Sequence, residues 1–130
     1  MDSLTLYFDR NVGKRLPHAL SKLRPPAEIR WHQGERLPHA MDDDVWLEIV
    51  AKRNWVVLTQ DLHFHLNASE HLAIKQHGVR CFYLPGATDG MWQTLCVFIR
   101  IHKKILELSE LTPAPFIFAF SKSGRYKRIL

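Results

Sequence analysis

Three places in this 130-residue chain set a carboxylate beside an apolar run. Leu4–Phe8 runs directly into Asp9, Asp42-Asp43-Asp44 opens a helix-like pattern, and Val56–Thr59 is followed after Gln60 by Asp61. A strand that ends in Asp puts a charge at the edge of a sheet. In open α/β sheets the crevice beyond the carboxyl ends of the strands is where ligands bind. Two unit charges about 4 Å apart repel by roughly 4 kcal/mol at an effective dielectric near 20, so acids that converge need a positive partner. A hard divalent cation with oxygen ligands answers that need, and Mg²⁺ or Mn²⁺ keeps water and binds substrate phosphate. Such an ion lowers the pKa of a bound water and stabilises in-line displacement at phosphorus. The candidate ligands are Asp9, Asp61, and Asp43 or Asp44. Plainer roles compete: Asp43 as a helix N-cap, Asp42 and Asp44 as charges favoured by the helix dipole, Asp9 and Asp61 as starts of Asx-turns. The shared placement of Asp9 and Asp61 after strands favours a site.

The elements that must position these acids follow from hydrophobic periodicity. Leu4–Phe8 and Ala27–Trp31 read as strands. Trp55–Thr59 is a short continuous apolar run, as expected of a strand buried on both faces. Val79–Leu84 and Phe116–Phe120 read as two more strands. Between them lie helical patterns at Asn11–Leu23, from Asp42 or Asp43 to Arg53, at Ser69–His77 stopped by Gly78, and at Asp89–Leu108. Pro17 inside the first predicts a late start or a kink. His32–Met41 reads as a loop and Ser121–Leu130 as a short basic tail. This alternation gives a mostly parallel sheet with helices on both faces, and right-handed crossovers bring the strand carboxyl ends to one edge.

The length suits one domain over residues 1–130, with a core large enough to need no disulfide. The formal charge of +5 permits a polyanionic partner such as RNA or DNA. Lys122, Arg125, Lys127 and Arg128, interleaved with Tyr126, suit a nucleic-acid backbone with one stacking ring, or else a solvated terminus. Cys81 and Cys96 sit in apolar patterns and read as buried reduced thiols. No run is long and apolar enough to span a membrane, and Met1-Asp2-Ser3 lacks the basic and apolar regions of a secretory signal, so a cytoplasmic protein is expected. His63-x-His65, with His32 and His39, lacks the spacing of a zinc motif. A histidine such as His63 near the rim would touch RNA phosphate instead. Leu95, Val97, Phe98, Ile99, Ile101, Ile105 and Leu106 cover more of the long helix than one stripe needs; core packing accounts for most of them, and the remainder suits a homodimer or another protein interface.

Several segments together resemble a known family. Leu6-Tyr7-Phe8-Asp9-Arg10-Asn11-Val12 looks like the opening of PIN-like domains, Asp43-Asp44-Val45-Trp46-Leu47 like their middle acidic helix start, and Trp55–Asp61 like their strand ending in Thr-x-Asp. Pro115–Phe118 and Ser121–Arg125 resemble the ending of a VapC-like toxin subfamily. The resemblance implies a PIN-like three-layer α/β/α sandwich with a mostly parallel central sheet. It implies a Mg²⁺-dependent endoribonuclease, with Mn²⁺ as a substitute, acting as the toxin of a toxin–antitoxin pair and restrained by a cognate protein antitoxin. By position, Asp9, Asp43 or Asp44, and Asp61 hold the metal, Asn11 and Thr59 support them by hydrogen bonds, and Glu70 is a late acid.

Two residues depart from the family pattern. Arg10 stands where many relatives have Glu, and His63 where a second Asp often follows. Fewer acids weaken a cation site, and Arg10 reads either as a contact to the scissile phosphate or as a solvated surface residue. A PIN-like module that binds RNA or a protein partner without cleaving therefore stands as an alternative. A receiver-like signalling domain is a weaker one: Lys122 after Phe120 suits it, but receivers pair acids after strand one and place a helix after the last strand.

Overall fold

Alternate residues of a strand face opposite ways, so a strand apolar throughout must be covered on both sides. Val56, Val57, Leu58 and Thr59 are all fully buried. The computed structural model describes residues 4–38, 41–61 and 66–130, and it covers that strand from both sides. Strands β1 (Thr5–Phe8), β2 (Glu28–Trp31), β3 (Val56–Thr59), β4 (Arg80–Tyr83), β5 (Phe116–Phe120) and β6 (Tyr126–Arg128) form one sheet in the order β2-β1-β3-β4-β5-β6. All neighbours are parallel except β5 and β6. Leu6 and Phe8 of β1 pack on one face with Leu16 and Leu20 of α1 (Arg15–Lys22) and Phe98, Ile101 and Ile105 of α4 (Met91–Leu111). Tyr7 and Val57 pack on the other with Trp46, Leu47 and Val50 of α2 (Asp43–Lys52) and Ile74 of α3 (Ala68–His77). The result is the expected α/β/α layering around a mostly parallel sheet.

Three local expectations are revised. The first helical pattern splits into a 3-10 turn, Arg10–Val12, and α1. Gly13 separates them at φ +84°, a conformation that a side chain would strain. Pro17 then falls in the first turn of α1, where its missing N–H costs nothing. The long helix starts at Met91 rather than Asp89, with Gly90 at its cap. Residues 126–128 do not trail off: they form β6, register Phe120 to Tyr126, and Tyr126 packs on Phe118 and Phe120. That strand after β5 stands where a receiver needs a helix. Cys81 is buried, Cys96 half-buried, and neither is in a disulfide. Among the described residues no helix is long and apolar enough to cross a membrane. His39, His63 and His65 lie outside the described residues.

One polar chain locks β1 to the loop after β2. The Tyr7 ring is fully buried, stacked on Trp55 at 5.6 Å. Its hydroxyl lies 2.6 Å from His32 Nδ1, and His32 Nε2 lies 2.9 Å from the Pro38 carbonyl oxygen. A carbonyl only accepts, so Nε2 carries the proton and Nδ1 accepts from Tyr7. Burial, with Asp9 nearby, pushes the Tyr7 phenol well above its ordinary value, so it stays a donor. His32 is therefore a satisfied core group and no metal ligand. Tyr7→Phe removes one donor, leaves a buried acceptor unpaired, and should cost about 1–3 kcal/mol in urea unfolding. An unchanged unfolding midpoint would show that the pair contributes nothing.

Candidate active site

Asp9 leaves β1 at the carboxyl edge of the sheet, next to β3. Its amide donates to the Leu58 carbonyl at 2.9 Å, extending the β1–β3 ladder by one residue. That bond fixes the backbone, and the side chain is 5% exposed. Oδ1 accepts from the Arg10 amide at 2.6 Å. Oδ2 accepts from Asn11 Nδ2 at 3.0 Å and Thr59 Oγ1 at 3.1 Å. Asn11 is itself oriented, because its Oδ1 accepts from the Gln60 amide at 3.0 Å and its Nδ2 also reaches Thr59 Oγ1. The Asp61 amide donates to the same hydroxyl at 3.1 Å. One Thr side chain thus ties the ends of β1 and β3 together. Burial raises Asp9 above the usual carboxylate range, and the Arg10 amide and Thr59 hydroxyl offset only part of it.

The acid from α2 is Asp43. Asp42 takes the N-cap position without a side-chain capping bond, so the capping role expected of Asp43 is absent. Asp43 Oδ1 instead accepts from Arg10 Nη2 at 2.7 Å and from the buried Trp46 indole N–H at 2.6 Å. Arg10 Nη1 donates to the Met41 carbonyl at 2.6 Å. Asp44, by contrast, is exposed and lines the groove between α2 and α3 with Glu48 and Ser69. Glu70, in the first turn of α3, hydrogen-bonds Asp43. Partial burial, that bond, and the charges of Asp43, Asp61 and Asp9 push Glu70 from its ordinary 4.5 to about 8. Burial acts to raise Asp43 too, but the bonds from Glu70, Trp46 and Arg10 outweigh it and hold Asp43 low. Glu70 therefore carries the proton and Asp43 the charge.

The basic residues are distributed differently. Lys122 pairs with Asp89 at 2.8 Å, in the turn after β5 at the same sheet edge. Arg125, Lys127 and Arg128 belong to that turn and to β6, three strands from β3 and so roughly 14 Å away. None joins the hydrogen-bonded carboxylate group. Nearer is a cavity of about 200 Å³ that shares Asn11 and Gln60 with the acidic group and continues past Lys14, Arg15, Leu16, Met91 and Asp89, the last paired with Lys122.

A family model described as PIN like domain matches residues 4–86, which hold all four acids and nearly two thirds of the chain. The chain belongs to the PIN-like domain family. No curated protein and no solved structure matches it.

In this PIN-like domain the donor chemistry suits a hard divalent cation: carboxylate oxygens of Asp9, Asp43, Asp61 and Glu70 repel one another until a proton and a guanidinium intervene. Among the described residues, no three His, Cys, Asp or Glu side chains are grouped so that they could hold one ion as they stand. Of the residues read from the sequence, Asp9, Asn11, Thr59 and Asp61 lie at the ends of β1 and β3, Asp43 bonds both Arg10 and Glu70, and Asp44 stands apart on the exposed face of α2. Sequence reasoning did not anticipate the Trp46 indole, the Met41 carbonyl, the Gln60 amide, or Lys14 and Arg15. Only the spacing Asp43-x-x-Trp46, one helical turn, carried a legible signal. Between pH 4.5 and about 8 the folded chain holds a Glu70 proton that the unfolded chain has released. Metal-free stability should therefore fall as pH rises across that window. Glu70→Gln should flatten this slope in chemical denaturation with EDTA; a slope identical to the unsubstituted protein would place the proton elsewhere.

Proposed function

We propose that this PIN-like domain is a divalent-metal-dependent endoribonuclease that hydrolyses RNA phosphodiester bonds. The observation that carries the reading is the carboxyl edge itself, where Asp9 is buried and held by Asn11 and Thr59, Asp43 and Glu70 share a hydrogen bond, and the charges of Asp9 and Asp61 act on Glu70. Asp9, Asp43 and Asp61 would hold Mg²⁺ or Mn²⁺, with Glu70 giving up its proton as a further acid. When bound, such an ion activates a water at neutral pH and stabilises charge on the phosphoryl oxygens. Asn11 and Thr59 keep Asp9 in one rotamer, and Thr59 also fixes the turn that carries Asp61. Burial of Asp9 and partial burial of Asp43 and Glu70 strengthen the electrostatic interactions among them.

The substrate backbone would lie along the cavity next to Asn11 and Gln60, where Lys14 and Arg15 supply positive charge. Lys122 and Arg125, at the same edge, would extend that path, with Lys127 and Arg128 further along β6. The toxin role, with a cognate antitoxin, rests on the sequence resemblance of the segments around Pro115–Phe118 and Ser121–Arg125. An antitoxin or a second copy of the chain would use the apolar side chains left open on α4, Trp92 and Ile99, which are 71% and 55% exposed. A PIN-like module that binds RNA without cleaving is the second reading, favoured by the Arg10–Asp43 pair inside the acidic group.

Cleavage of unstructured RNA with Mg²⁺ or Mn²⁺, and none with EDTA, is the expected result. Asp9→Asn and Asp61→Asn should abolish it, whereas Asn11→Ala and Thr59→Val should lower the rate about 10–100-fold. Full cleavage by both Asn variants would sink the site, and tight RNA binding with no cleavage would establish the second reading. Replacing both Lys14 and Arg15 by Ala should weaken binding of a short single strand, and each lost phosphate contact should reduce the slope of log affinity against log salt by about 0.7. An unaltered slope would place the backbone elsewhere.

A further inference from the structure

Charged acids near one sheet edge favour positive charge among them, and one cation here is covalently attached. Arg10 directly follows Asp9, and its amide is held by Asp9 Oδ1 at 2.6 Å, so the buried acid fixes the backbone that carries it. The guanidinium reaches α2, with Nη2 on Asp43 Oδ1 at 2.7 Å and Nη1 on the Met41 carbonyl at 2.6 Å. The Arg10 side chain is 21% exposed and Asp43 25%. Two directional anchors and partial burial distinguish this pair from a mobile surface ion pair.

A metal ligand needs a free lone pair on the coordinating oxygen. Asp43 Oδ1 has already accepted from Arg10 and from the Trp46 indole at 2.6 Å, which uses both. Asp43 is also hydrogen-bonded by Glu70. Three of the roughly four lone-pair sites of Asp43 thus accept hydrogen bonds before any ion arrives, both of those on Oδ1 among them, in keeping with the lack of a ready metal cage among the described residues.

We infer that Arg10 is a tethered counter-ion that competes with the divalent cation for Asp43. The inference rests on the nuclease reading of the same site. A cation at Asp43 either displaces the guanidinium from Oδ1 or binds Oδ2 against its positive charge, so Arg10 lowers the metal affinity in both cases. Arg10→Gln removes the charge while keeping a polar side chain, and Arg10→Lys keeps the charge.

The decisive measurement is calorimetric titration of MnCl₂ into metal-free full-length protein. Arg10→Gln should bind Mn²⁺ about tenfold more tightly than the unsubstituted chain, and Arg10→Lys should stay within about twofold of it. In an Asp43→Asn background the gain from Arg10→Gln should largely vanish, because the contested ligand is gone. Equal or weaker binding by Arg10→Gln, no binding by any form, or a full gain surviving in Asp43→Asn would each overturn the competition. Melting curves in EDTA establish that each variant folds. Should Arg10→Gln fail to fold, the unmodified protein decides: saturating MgCl₂ should shift the Arg10 Nε–Hε NMR resonance, and an unmoved resonance with Mg²⁺ bound would overturn the inference. Absence of RNA cleavage in every form would sink the nuclease reading while the Mn²⁺ affinities remained readable.

Discussion

Repulsion between carboxylates at the carboxyl edge of a parallel sheet is the constraint around which this end of the molecule is built. Parallel pairing brings the ends of β1 and β3 to one rim, so Asp9 and Asp61 are neighbours whatever else the chain does. Asp9 is also buried, which makes its charge more costly. The local structure answers with donors. The Arg10 amide, Asn11 and Thr59 converge on Asp9, while a guanidinium and an indole converge on Asp43. Where donors run out a proton remains, on Glu70.

The core makes that arrangement possible by being polar almost nowhere else. The central strands are apolar on both faces, and the two packed clusters on either side leave few hydrogen-bonding side chains inside. Among the described residues the buried polar ones are Asp9 and Thr59 at the rim, His32 satisfied by Tyr7 and Pro38, and Thr94 and Ser109 bonded back to their own helix. A rigid apolar sheet ending in a polar rim holds the acids with little freedom to spread apart, which is what a site for a charged ligand requires. The basic surplus of the chain lies outside this cluster, except for Arg10.

Much of this was legible in the sequence. Strand and helix positions followed from periodicities of two and 3.6, because burial of one face or two is written into neighbouring residues. Asp9, Asn11, Thr59 and Asp61 were legible because they sit within three residues of a strand end, and a strand end in a parallel sheet has only one place to go. The late start of α1 was less so. Pro17 signalled it, but Gly13 set the break through a backbone angle that composition does not reveal. The β6 strand was hidden in what reads as a basic tail: its three residues are exposed, so no hydrophobic alternation marks them.

The sequence by itself determined that acids would stand at the ends of apolar strands, because local hydrophobic pattern and chain order dictate both. It left Asp43 and Asp44 equivalent, and left Arg10 as either a surface residue or a phosphate contact. Only the tertiary structure decided between them. The angle at which α2 meets the rim turns Asp43 inward and Asp44 out, and it carries Asp43 to a guanidinium 33 residues away in the chain. Glu70 became part of the group for the same reason, since α3 packs beside α2. Such meetings depend on how helices seat on the sheet, a property of packing between distant segments that no local pattern of residues records.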